Sequence, residues 1–161
     1  KIYQNTGESS NDGIELTLSQ DINAIWSLNG SLNWYQNKID GDTVEVLFPF
    51  VRDLTIAASE DDTWDFKLNN QLSLPYDTAL QLSYIYYGDR NIPQGTAKAR
   101  SSFDIGLNKS VLEGRGELTF SFSDVFNSFG IDEEYEADGY VASYQNYYES
   151  QIARLSLTYD F

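Results

Sequence analysis

The side chains best suited to chemistry in this chain are carboxylates. Asp and Glu supply 25 of the 161 residues against 10 Lys and Arg, for a net charge of −15. They gather in two clusters: Glu60, Asp61 and Asp62, then Asp132, Glu133, Glu134, Glu136 and Asp138. Carboxylates on a flexible loop are hard-oxygen ligands for Ca²⁺, and a positioned pair could hydrolyse a glycosidic bond. No EF-hand-like spacing is present and nothing in the sequence positions a pair. Both clusters therefore read as solvated loop charge. The chain has no His and no Cys. Triads, thiol nucleophiles, histidine acid–base pairs, Cys/His zinc sites and disulfides are excluded with them. A chain this acidic also repels nucleic acid at long range. The expectation is a protein that is not an enzyme, with no cofactor, no metal site and no nucleic-acid partner.

The second chemically capable group is aromatic: 12 Tyr, 9 Phe and 3 Trp. Such rings can stack on sugars or anchor a protein at membrane–water interfaces. The choice depends on the elements that carry them. No apolar run approaches the roughly 20 residues of a membrane helix, and helical periodicity is nearly absent. Period-two alternation instead recurs from end to end.

Seven strands are predicted, each of about ten residues or more, longer than the roughly 5–6 of a typical globular strand. Their apolar faces run Ile14, Leu16, Leu18; Trp26, Leu28, Leu32, Trp34; Trp64, Phe66, Leu68, Leu72; Leu80, Leu82, Tyr84, Tyr86; Phe103, Ile105, Leu107; Leu118, Phe120, Phe122; and Ala153, Leu155, Leu157, Tyr159, Phe161. Essentially no charge falls on those faces. The alternate positions hold Asn, Gln, Ser, Asp, Lys and Arg. Strands of this length, tilted near 45°, cross a bilayer core. A face this polar suits a wide lumen holding water or a plug.

Connections alternate between short (near residues 21–23, 75–78 and 112–116) and long (about residues 40–62, 88–96 and 128–149). Outer-membrane barrels show this asymmetry, with tight turns on the periplasmic side and long loops outside. Trp26, Trp34 and Trp64 stand at the ends of apolar faces, as interfacial anchors do. The long loop at residues 44–58 is mostly apolar. It reads as a hairpin continuing above the membrane, with contact to a plug, ligand or partner as the other reading. The fold class is thus all-β, an antiparallel transmembrane meander. A soluble β-sandwich or sugar-binding β-domain, with the rings in a core or as stacking platforms, is the competing reading.

Several stretches resemble a known family. Ile92-Pro93-Gln94-Gly95 followed by Ser102-Phe103-Asp104-Ile105-Gly106-Leu107-Asn108-Lys109 looks like the C-terminal third of TonB-dependent outer-membrane receptors, closest to the Bacteroidetes-type outer-membrane β-barrel family. Residues 116–127 end in Asp124-Val125-Phe126-Asn127, similar to an ending common there. Asn5-Thr6-Gly7 and Gly13-Ile14-Glu15 are similar to its "N-x-G … G-x-E" pattern. Leu155, Leu157, Tyr159 and Phe161 look like the signal read by the barrel-assembly machinery, and would close the wall. The resemblance covers essentially the whole chain. It implies a barrel of about 22 strands around a plug, opened by TonB to import a siderophore, glycan, peptide or vitamin across the outer membrane. This chain would supply the last seven or so strands and no plug. Its partners would be the remainder of the barrel and plug, TonB through that plug, the lipid bilayer and a possible surface lipoprotein. An odd strand count cannot close an ordinary antiparallel barrel, which suggests a piece of a larger assembly. A small stand-alone barrel of about eight strands would need one more, from residues 1–8 or 44–58.

Overall fold

The computed structural model describes residues 8–47, 49–137 and 139–161. Asn5-Thr6-Gly7, most of the candidate extra strand at residues 1–8, Phe48 of the apolar loop and Asp138 of the second acidic cluster lie outside the described residues.

Seven long strands form one antiparallel meander: β1 (Ser9–Asn23), β2 (Trp26–Ile39), β5 (Ser59–Leu74), β6 (Thr78–Tyr87), β9 (Arg100–Val111), β10 (Gly116–Ser123) and β13 (Ile152–Tyr159), in that spatial order. They are the seven strands that alternation predicts. Alternation also determines their register, because a slip of one residue would move every side chain to the other face. One apolar row runs Trp26, Leu72, Leu80, Leu107, Phe120, Leu155 across six strands. Another runs Leu18, Gly30, Leu68, Tyr84, Phe103. On the opposite face Asp21, Ser27, Gln71, Gln81, Gly106, Ser121 and Arg154 cross all seven strands in one row.

The three short turns lie at one rim. Ala24 and Ile25 make the first, two residues beyond its predicted position, and the Asn23 side chain accepts a hydrogen bond from the Ile25 amide at 2.9 Å. In the second, Tyr76 and Asp77 both take positive φ (64° and 52°). The third is a 3₁₀ turn, Leu112–Gly114.

The long connections at the opposite rim hold more structure than the sequence discloses. The apolar loop forms a hairpin of β3 (Asp42–Val46) and β4 (Arg52–Ile56), which pair only with each other. That matches the hairpin reading and removes this segment as a donor of an eighth wall strand. The other two loops join in one four-stranded sheet, ordered β12 (Tyr140–Asn146), β11 (Ile131–Ala137), β8 (Gly95–Ala97), β7 (Arg90–Ile92).

Among the described residues the buried apolar ones are Ile39, Val44, Ile56 and Ala97, all at the long-loop end. Among the described residues nothing covers the apolar face of the large sheet. Leu16 is 62% exposed and Leu155 69%. A sandwich would bury that face against a second sheet about 10 Å away. Among the described residues both sheet edges are also open, because β1 pairs only with β2 and β13 only with β10.

Candidate functional site

Three surfaces can act: the apolar wall, the polar face behind it, and the sheet built by the loops. On the wall, Trp34 and Trp64 are direct cross-strand partners near the long-loop end. Trp64 stacks on Tyr86 at 4.5 Å between ring centroids. Trp26 lies toward the short-turn rim, its indole N–H donating to Asn70 Oδ1 at 3.1 Å. Eight residues separate Trp26 from Trp34 along β2, about 26 Å at strand rise, or about 18 Å in height at 45° tilt. The sequence places Trp34 at the end of its strand, but pairing runs on to Ile39.

Leu155, Leu157 and Tyr159 face the same way from β13, opposite Phe120, Leu118 and Gly116. Phe161 lies beyond the last paired residue, edge-on to Tyr159 at 5.2 Å. The other edge of β13 has no partner strand among the described residues, so these four residues meet no first strand here.

The polar face is knitted by side chains. Ser19 donates to Asn29 Oδ1 at 2.6 Å, and Asn108 donates to Glu117. Toward the long-loop rim the Arg100 guanidinium lies over the rings of Tyr87 (5.3 Å) and Phe129 (4.9 Å). Such cation–π contacts hold a cation without a carboxylate.

The fold explains three motifs that sequence alone leaves as resemblance, the first of them in the loop sheet. Pro93 and Gln94 make the turn between β7 and β8, with Gln94 at φ 69°. Gly95 then pairs with Tyr135 so closely that an added Cβ would come within 2.0 Å of the Glu134 carbonyl oxygen. At Gly13 a Cβ would meet the Trp34 carbonyl oxygen at 2.3 Å. Asp124, 1% exposed, anchors the loop after β10. Its carboxylate accepts from the backbone amides of Ser128 (2.9 Å) and Phe129 (3.2 Å) and from the Ser150 hydroxyl at 2.5 Å. Its own amide donates to Asp104 Oδ1 at 2.7 Å. Burial pushes the Asp124 pKa up, but the three hydrogen bonds outweigh it and hold the group below its ordinary value.

The acidic clusters are partly structural. Asp61 accepts from the Asn37 side chain (3.1 Å) and the Asn91 amide (3.0 Å), and so holds β7 over the ends of β2 and β5. Glu133 accepts from the Tyr135 hydroxyl at 2.6 Å, which raises the tyrosine's pKa. Glu134 pairs with Lys98 at 3.6 Å. Among the described residues no three carboxylates converge as a metal site would require. Asp124, Gly95 and Arg100 carry more of the architecture than sequence reasoning assigned them. The only sequence signal for the first two was the motif in which each sits.

A family model described as the outer membrane protein beta-barrel family matches residues 1–159. No curated protein matches the chain, and no solved structure does.

Proposed function

The chain belongs to the outer membrane protein beta-barrel family, and from that premise we propose that it is a wall segment of a TonB-dependent receptor importing a scarce nutrient. The observation that carries this reading is the large sheet itself. Among the described residues its apolar face is uncovered, which suits lipid, its polar face suits a hydrated lumen, and neither edge has a partner strand, which suits further strands. Short turns would face the periplasm, and the loop sheet would meet arriving ligand. Further strands and a plug would complete the barrel. Trp34 and Trp64 would anchor the outer interface, and Trp26 and Tyr159 the inner one. Leu155, Leu157, Tyr159 and Phe161 would be read by the assembly machinery. Transport would rest on shape, lumen polarity and loop contacts, with no bond-making step.

The test is the intact mass of the native polypeptide extracted from outer membranes in detergent, with capture on immobilised TonB periplasmic domain. A mass several times 18.3 kDa and saturable capture are expected. A detergent-dependent species near 18.3 kDa that ignores TonB would overturn the receptor reading and leave a small stand-alone barrel.

A further inference from the structure

On the apolar face, from the Trp34–Trp64 row to the short turns, the register admits one charged side chain, Lys109. It follows Leu107 on β9, opposite Leu118 and Thr78, next to the rim. Its ammonium donates to the Tyr76 carbonyl oxygen at 3.2 Å and to Thr78 Oγ1 at 3.4 Å. It lies 5.8 Å from the centroid of the Tyr76 ring. Tyr76 itself is 86% exposed on a turn held at positive φ. The Ser110 amide, donating to the Asp77 carbonyl at 3.0 Å, ties that turn to β9. No carboxylate pairs with Lys109 among the described residues.

A positioned, unneutralised ammonium at the edge of an apolar wall calls for an anion at the same depth. An ammonium has three donors, and two are engaged by Tyr76 and Thr78. The third remains for a ligand. We propose that Lys109 and Tyr76 form a phospholipid headgroup site at the short-turn rim. Lys109 donates to a phosphate oxygen, the Tyr76 hydroxyl lies at headgroup depth, and the acyl chains lie along Leu107, Leu118 and Leu80. The site rests on the membrane reading but not on the receptor reading or on any further strands, because β5, β6, β9 and β10 are all paired on both sides.

The test uses the whole polypeptide purified in detergent and titrated with phosphatidylglycerol, phosphatidylethanolamine or inorganic phosphate, with bound molecules counted by native mass spectrometry. Wild-type protein is expected to retain phospholipid. Lys109→Gln should weaken it about tenfold or more, the loss of one charge-assisted hydrogen bond, while Lys109→Arg keeps it. Tyr76→Ala, at an exposed turn, removes the ring without disturbing the fold and should also weaken retention. Unchanged lipid binding in both Lys109→Gln and Tyr76→Ala would overturn the site. Displacement of lipid by inorganic phosphate would overturn the lipid assignment in favour of a free anion. A polypeptide that stays soluble after all detergent is removed would overturn the membrane reading beneath it.

Discussion

Replacing Leu68 by Arg tests the assignment of the two faces most directly. Leu68 sits on the apolar face of β5, between Gly30 and Tyr84. It lies four residues beyond Trp64 on the strand, about 13 Å along it, or about 9 Å below the Trp level at 45° tilt. That depth is close to the bilayer midplane, where Arg on a lipid face costs roughly 2–4 kcal/mol. A cost of about 3 kcal/mol lowers the folding equilibrium constant about a hundredfold. The next residue, Asn69, faces the polar side between Asn29 and Ser83. Asn69→Arg should stay within about 0.5 kcal/mol of wild type. Leu68→Ala separates the lost apolar contact from the inserted charge. The assay is urea unfolding of the whole protein in lipid vesicles, followed by tryptophan fluorescence. Equal costs for the two arginines, or no cost at Leu68, would refute the assignment of lipid to this face.

Three further outcomes follow from the long-loop end. Asp124→Ala should leave the Ser128 and Phe129 amides without their acceptor and cost about 1–3 kcal/mol, read as faster hydrogen exchange at those amides while the strands stay protected. Because the Asp124 pKa is depressed in the folded protein, its contribution is complete above the unfolded-state value near about pH 4 and is lost as pH falls through the folded value. Acidification below about pH 4 should therefore loosen this loop in wild type and have no such effect in Asp124→Ala. Gly95→Ala should break the β8–β11 pairing, since no flexible group can yield to the new Cβ; exchange protection at residues 95–97 and 133–135 should fall together, and unchanged protection would count against the register.

The wall was legible because its cause is local. Ten or more residues alternating between apolar and polar leave one register per strand pair that keeps both faces intact. The signal fades where that reason ends. Residues 35–39 of β2 and 59–63 of β5 stay paired, but with Gln36, Asn37 and Lys38 opposite Asp62, Asp61 and Glu60 no apolar stripe marks them. The loop sheet was invisible for a related reason. β7 and β8 have three residues each, and their order comes from β11, more than thirty positions away in the chain. Asp124 could be seen as part of a motif, but its burial depends on Ser150 arriving from the connection that leads into β13. Lys109 was in plain view at the end of the motif that contains it. It becomes distinctive only when the ladder sets it on the apolar side.

The joining of two loops into one sheet has a mechanical consequence. The loop between β6 and β9 and the loop between β10 and β13 share a ladder through β8 and β11, so neither can swing without carrying or tearing the other. They should open as one cooperative unit, and a push at the exposed Tyr140 or Tyr144 would reach Asn91 at the rim of β2 and β5. Insertions should be tolerated poorly within this unit, where two loop lengths must change together. The β3–β4 hairpin, paired only with itself among the described residues, should lengthen without that constraint.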